Sequence, residues 1–447
     1  MVAACASRSA SFNRSSRPEM RFPSLSDLDR EQRRVYAEAP NDGAITVVGA
    51  PGTGKTIMAF HRARKALELG QVPQVIMFNS VLMKYASGEP EQISGVGVST
   101  MHKWGRQWWL GATRKWMPTD PVDRYHIDWK QLCATALSQI AAGAGSKFDW
   151  GHLIIDEGQD FPEDMYMALG LIASALSRHG HHGRITVFAD DNQRLQIEAN
   201  SETAAIRKNL FIEGVEDRNF TLRKNFRNTR EIACMAAHFQ VGNASGLAEL
   251  PERRGEIPTV IFTANDRDLT DFIARKVKAS PGRQTGVIVH GPKSTVTRAY
   301  NQIKTRIEGT KLKVQVYISG DKNRTADMLD FDSPDTITVL HERSAKGLEF
   351  DIVFFLGLER IDLDGSGGLN ERMALYVMSS RAREELFLAA ADLDPSHDLP
   401  AGIALLPPPD AGLCAYAGLG SIDGHAERLL EHVEWIEPRR ILEGVAA

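Results

Sequence analysis

Short apolar runs alternate with amphipathic stretches along the chain, the pattern of strands linked by helices. Leu28-Asp29-Arg30-Glu31-Gln32 opens an amphipathic helix. Ile45-Thr46-Val47-Val48 is a β-branched run that reads as a strand, and the stretch from Ile57 to Leu69 reads as the helix after it. Val75-Ile76-Met77-Phe78 reads as a buried strand and Gly97-Val98-Ser99-Thr100-Met101-His102 as another. Leu153-Ile154-Ile155 and Arg184-Ile185-Thr186-Val187-Phe188-Ala189 are two more, each running into acidic residues. Further strands are expected at 257–262, 286–290, 313–318 and 335–340, with helices near 267–278 and 293–308. After Asp394, Pro- and Gly-rich sequence leads to a short amphipathic helix, Ala426–Val433, and a loose end.

At 447 residues the chain is long enough for two or three domains. Its 53 basic and 57 acidic residues leave a net charge of −4, which excludes a uniformly basic coat but not a local basic groove. Cys5, Cys133, Cys234 and Cys414 stand far apart without paired spacing, so neither a zinc site nor a disulfide framework is implied. No apolar run reaches transmembrane length, and a reduced cytoplasmic protein away from the membrane is expected. Residues 1–19, rich in Ser, Ala and Arg, read as a disordered leader before Met20, although a transit peptide shares that composition.

The first candidate chemistry lies in Gly49-Ala50-Pro51-Gly52-Thr53-Gly54-Lys55-Thr56, set between a strand and a helix. Its glycines let backbone N–H groups turn toward phosphates, Lys55 reaches the β/γ-oxygens, and Thr56 holds Mg2+. Asp156-Glu157 ends an apolar strand. There one acid holds Mg2+ through water and the other polarises an attacking water. Gln32 offers a donor and an acceptor, as the edge of adenine requires. His179, His181 and His182 fall in a Gly-rich loop, where solvation outweighs metal ligation. Between 103 and 150 stand Trp104, Trp108, Trp109, Trp116, Trp129 and Trp150, six of the seven tryptophans. Lys103, Arg106, Arg114, Lys115, Arg124 and Lys130 are interleaved with them. Aromatic faces among basic residues suit single-stranded nucleic acid; a small helical subdomain with a tryptophan core remains the alternative.

Taken in order, these motifs resemble the UvrD/Rep/PcrA class of superfamily 1A helicases. Leu222-Arg223-Lys224-Asn225-Phe226-Arg227 is similar to the family's Asn-Tyr-Arg motif. Ser344-Ala345-Lys346-Gly347-Leu348-Glu349-Phe350-Asp351 resembles its Ser/Ala-Lys-Gly-Leu-Glu-Phe motif. Leu375-Tyr376-Val377-Met378-Ser379-Ser380-Arg381-Ala382-Arg383 resembles its Tyr-Val-Ala-x-Thr-Arg-Ala-Arg motif. The resemblance implies an α/β fold of two tandem RecA-like P-loop NTPase domains with mainly parallel sheets, a short helical insertion in the first, and ATP in the cleft between them. The expected division is 1–19 leader, 20–225 first domain with the Trp-rich insertion at about 103–150, 226–394 second domain, and 395–447 C-terminal extension. It further implies that Glu157, Gln193, Arg227 and Arg381 act in catalysis, and that Thr56 and Asp156 hold Mg2+. Gln32, Gly49, Gly52, Thr53, Gly54, Lys55, Thr56, Phe226, Gly347 and Glu349 would bind the nucleotide, with Phe226 on adenine and Glu349 on the ribose.

The chain departs from the family in several places. Gly158 stands where Ala or Tyr is usual, and His341 and Arg343 where Thr and His are common. Gln193 is followed by Arg194-Leu195-Gln196-Ile197-Glu198, without the aromatic that stacks on DNA. The first insertion is short, and the candidate elements between Arg227 and Lys346 leave no room for the large second one. The expected function is a compact ATP-dependent helicase-like motor on single-stranded nucleic acid, with DNA as the expected strand. Two alternatives stay open. One is an ATPase sensor or regulatory subunit acting with a nuclease or other protein partner, as in anti-phage defence. The other is a nucleic-acid binding module with slow turnover and no translocation.

Overall fold

The first helix, Arg30–Glu38, starts from a capping box. Asp29 Oδ1 accepts from the Gln32 amide at 2.7 Å, and Gln32 Oε1 accepts from Asp29 N at 3.2 Å. The computed structural model describes residues 23–77, 81, 95–123, 126–193, 201–241, 248–363, 368–394 and 396–436. The leader 1–19, Phe78, Arg124, the run from Arg194 to Glu198 and the end from residue 437 lie outside the described residues.

Strands β1 (Ala44–Gly49), β2 (Pro73–Met77), β3 (Gly97–Thr100), β4 (Gly151–Ile155), β5 (Gly183–Ala189) and β6 (Asn219–Leu222) form one sheet. Its order is β3-β2-β4-β5-β1-β6, with all pairs parallel. Helices cover both faces, so neighbouring strand residues are buried in opposite directions. Ile154 joins the core with Val47, Val75 and Phe188, while Leu153 and Ile155 join the other with Ile185 and Val187.

A second sheet holds β7 (Thr259–Thr263), β8 (Thr285–Val289), β9 (Lys313–Tyr317), β10 (Thr336–His341), β11 (Phe350–Leu356), β12 (Ala382–Ala390) and β13 (Ala415–Leu419). The order is β13-β7-β12-β11-β8-β10-β9, again parallel throughout. Val353 and Phe355 point into one core, Ile352 and Phe354 into the other. The chain is thus an α/β protein of two tandem RecA-like parallel sheets, with a short helical insertion in the first.

Two expectations change. Met101 and His102 do not extend β3 but start the helix Met101–Thr113, because the pairing with β2 ends where Thr100 meets Met77. The segment from 401 to 430, expected as part of the C-terminal extension, packs onto the second sheet. The Ala415 amide donates to Pro258 O at 2.8 Å and starts the pairing of β13 with β7. Ile403, Leu405, Leu406, Ile422 and Leu430 are buried in the core of the second sheet. The terminal helix is also shorter than expected, Ala426–Leu430.

The tryptophans of the insertion are mostly core. Trp104, Trp109, Trp129 and Trp150 are buried, and Trp108 is half-buried, stacked on Trp104 with centroids 5.4 Å apart. Trp116 alone of the six is exposed, at 84%. Among the described residues no helix is long and apolar enough to cross a membrane.

Candidate active site

In an open parallel sheet, loops at the C-terminal ends of the strands form the ligand crevice. The loop after β1 is held by glycines that no other residue could replace without strain. Gly52 and Gly54 have φ of +78° and +85°. A Cβ on Gly52 would lie 2.4 Å from Asn225 Oδ1, and one on Gly54 would lie 2.6 Å from Gln32 Nε2. Gly49 closes β1 with the Thr53 hydroxyl against it. Thr53 Oγ1 donates to Ala50 O at 2.8 Å. Lys55 opens the helix Lys55–Glu68 and is buried; its Nζ donates to Gly49 O at 2.6 Å and Ala50 O at 3.2 Å. The same ammonium stands 3.8 Å from Asp190 Oδ2. Gln32 Nε2 donates to Thr53 O at 3.1 Å, so this glutamine braces the loop as well as capping its own helix.

Beyond the end of β4, Thr56 Oγ1 donates to Asp156 Oδ2 at 2.7 Å. The other oxygen, Asp156 Oδ1, is buried without a hydrogen-bond partner. Burial, then the neighbouring Glu157 charge, raises the Asp156 carboxyl to about 7. Glu157 adopts a left-handed backbone, φ +53°, uncommon for a non-glycine residue. Burial opposes its ionisation, but Lys346, Lys55 and Arg381 together hold it below the usual glutamate range. Gln159 Nε2 donates to Glu157 Oε2 at 2.5 Å, while Gln159 Oε1 accepts from Asp190 N at 2.9 Å. Gln193 Nε2 donates to Asp190 Oδ2 at 2.7 Å.

The second half supplies the cations. Arg381, which follows the helix Leu369–Ser379, is 1% exposed. Its Nη2 donates to Gln193 Oε1 at 2.9 Å and its Nε to Val377 O at 2.8 Å. Burial, with Arg227 nearby, lowers the guanidinium to about 10, so it stays charged at neutral pH. Arg227 lies in the link after β6. It donates from Nη1 to Ser380 O at 3.2 Å and pairs with Glu349 Oε1 at 2.7 Å. Arg383 pairs with the other Glu349 oxygen at 3.1 Å. Burial would raise Glu349, but Arg227 and Arg383 hold it at about 2. Gly347 turns the chain with φ +83° just before this glutamate. Phe226 donates its amide to Gly52 O at 2.9 Å and is itself 47% exposed beside the loop.

Two site residues were missed by sequence reasoning. Lys346, 2% exposed, donates to Asp160 Oδ1 at 2.5 Å and to the Gln193 carbonyl, and its Nζ is 3.9 Å from Glu157 Oε2. It thus carries a buried positive charge from the second half into the acidic loop of the first. Lys346 lies inside a stretch already singled out, Ser344–Asp351, and Asp160 stands three residues after the Asp156-Glu157 pair. What was lacking was the knowledge that these two stretches face each other.

A strand, a glycine loop, a lysine at a helix N-terminus and a carboxylate beside Thr56 define a P-loop nucleotide-binding domain. The family described as an AAA domain matches residues 32–198, the part of the chain that contains this loop and the acidic pair. No curated protein matches the chain. Among solved structures it is similar to the C-terminal domain of a possible DNA helicase from Lactobacillus plantarum WCFS1. That likeness has 22% identity and a TM-score of 0.30, and covers 43% of this chain and 98% of that domain.

Proposed function

We propose that this chain is an ATP-driven, helicase-like motor that holds single-stranded nucleic acid, DNA, and hydrolyses ATP between its two sheets. The observation that carries it is the 2.9 Å bond from Arg381 to Gln193, which brings a cation of the second half to act on Glu157 of the first together with Lys55. An arginine placed so neutralises transition-state charge only while the halves are together, which ties hydrolysis to their opening and closing.

In this reading Gly49, Gly52, Thr53, Gly54 and Lys55 receive the phosphates, Gln32 and Phe226 face the base, and Gly347 and Glu349 lie by the sugar. Glu157 takes the proton of the attacking water, which Gln193 orients, while Arg227 and Arg381 stabilise the transferred group. The residues also fit Mg2+: Asp156 keeps a buried oxygen without a partner beside the Thr56 hydroxyl. No cluster of three or more His, Cys, Asp or Glu that could hold a metal occurs among the described residues. That donor set suits a cation held by one carboxylate, one hydroxyl and the substrate phosphates. When bound, Mg2+ would neutralise charge on the phosphate oxygens.

A second reading, an ATPase sensor or regulatory subunit acting with a nuclease partner, draws on one observation. With five of the six insertion tryptophans in or against the core, Trp116 is the one of the six left as a stacking face. A weaker grip on the strand favours nucleic-acid sensing over processive unwinding. Strand displacement on a tailed duplex, run beside ATP turnover with and without single strands, tests both. Turnover stimulated by single strands supports a motor or sensor, and long-range unwinding by the chain alone excludes the second reading.

A further inference from the structure

The link that carries Arg227 also contains two asparagines that none of the assigned roles uses. Asn225, 7% exposed, lies against the phosphate loop, with its Oδ1 where a Gly52 Cβ would otherwise be. That oxygen accepts from the amides of Arg227 at 2.9 Å and Asn228 at 3.2 Å, so it shapes the turn that presents Arg227. Its Nδ2 donates to Asn228 Oδ1 at 2.9 Å.

Asn228, 1% exposed, passes the connection on to the second half. Its Nδ2 donates to Ser380 O at 3.2 Å and to Ala382 O at 2.6 Å. These carbonyls flank Arg381 on either side. Only an amide nitrogen can donate to two carbonyls while its oxygen accepts from Asn225, so the orientation of Asn228 is fixed by its partners. Arg227 Nη1 also bonds Ser380 O at 3.2 Å, so both cationic fingers share this anchor.

We propose that Asn228 is a positioning residue for the Arg381 finger, coupling it through Asn225 to the phosphate loop. The inference rests on the proposed hydrolysis in the cleft. Asn228 is given no part in binding or chemistry; it acts by holding the backbone on either side of Arg381, whose side chain meets Gln193. Asn225 packs closely against Gly52 and is hydrogen-bonded to Asn228, which in turn bonds the carbonyls on either side of Arg381, so the finger responds to the loop's shape. Without the clamp the arginine tip drifts, and misplacement by about 1 Å can cost about a hundredfold in rate.

The test is ATP turnover by full-length wild type, Asn228→Ala, Arg381→Ala and the double variant, each first checked for cooperative melting. Asn228→Ala should lower kcat by about ten- to a hundredfold while the KM for ATP stays within about twofold, since the loss is in positioning rather than binding. In the double variant kcat should lie within about twofold of Arg381→Ala, because the backbone Asn228 clamps on both sides is that of Arg381, while Arg227 is also held by its own pair with Glu349. A merely structural asparagine would make the two losses multiply, and that outcome overturns the proposal, as does wild-type turnover in Asn228→Ala. Asn228→Ser, which keeps a hydroxyl donor, decides the matter if the alanine variant does not melt cooperatively. A wild-type chain with no turnover overturns the proposed hydrolysis and this role with it. Wild-type turnover with multiplying losses overturns this role alone.

Discussion

Replacing Lys346 by Met removes a buried charge and leaves a side chain of similar length. Asp160 and Glu157 lose their shared cation, and the Gln193 carbonyl loses a donor. Both Lys346 and Asp160 side chains are 2% exposed, so solvent screens the pair little. Removing one partner of a buried pair costs about 3–5 kcal/mol. The cost should depend on pH. Burial already raises the Asp160 carboxyl to about 7, against the attraction of Lys346. A carboxyl whose folded pKa lies above its unfolded value stabilises the fold less and less as pH rises from the unfolded pKa through the folded one. Loss of Lys346 pushes that folded pKa higher still, so the deficit of Lys346→Met should widen above about pH 7. Urea unfolding followed by tryptophan fluorescence reports it, since Trp104, Trp108, Trp109, Trp129 and Trp150 line the core of the first sheet. The deficit should be clearly larger at about pH 8.5 than at about pH 6. A deficit below about 1 kcal/mol, or one that narrows as pH rises, would refute this account of the buried charges.

Three further outcomes are expected. Glu157→Gln should retain ATP while turnover falls about a hundredfold or more, as loss of a positioned general base requires; equal losses of binding and turnover in a radiolabelled-nucleotide assay would contradict its role. Trp116→Ala should weaken single-strand binding by about 1–3 kcal/mol at unchanged stability, whereas Trp109→Ala should cost about 3–5 kcal/mol of stability; fluorescence anisotropy and urea unfolding separate the two. Glu349, held at about 2 by Arg227 and Arg383, contributes stability that is complete above about pH 4.5 and is lost as pH falls toward about 2. The stability gap between wild type and Glu349→Gln should therefore shrink from about pH 5 to about pH 3, and a constant gap would count against the ion pair.

Much of the fold was legible because its signals are local. The octet ending in Lys55-Thr56 needs only its flanking strand and helix to be recognised. The amphipathic helix opened at Leu28–Gln32 is likewise local, although its capping by Asp29 and Gln32 came from the structure. The strands near 260, 287, 315 and 338 are apolar enough to announce themselves, and all four appear as β7 to β10. What escaped depends on distant partners. β13, Ala-Tyr-Ala-Gly-Leu, is a half-buried edge strand whose identity comes from β7 rather than from its own pattern. The tryptophans showed the same limit: composition cannot separate a ring stacked on Trp104 from one that faces water, and only packing distinguishes Trp108 from Trp116. Lys346 stood in a recognised stretch, yet its role follows from Asp160 and Gln193 on the other sheet. Asn228 was passed over because the carbonyls it clamps lie far along the chain.

The central claim is that nucleotide bound at the first sheet is hydrolysed with help from arginines of the second. Its most direct measurement is steady-state ATP turnover by the full chain, with and without single-stranded DNA, for wild type, Lys55→Ala and Arg381→Ala. Wild type should turn ATP over and speed up with single strands, because a strand bridging both halves favours their closed state. Lys55→Ala should be inactive, and Arg381→Ala should bind ATP but run slower by about 10³-fold or more, the scale of an arginine finger. Turnover in Arg381→Ala equal to wild type would contradict the claim, since the second sheet would then take no part in the chemistry.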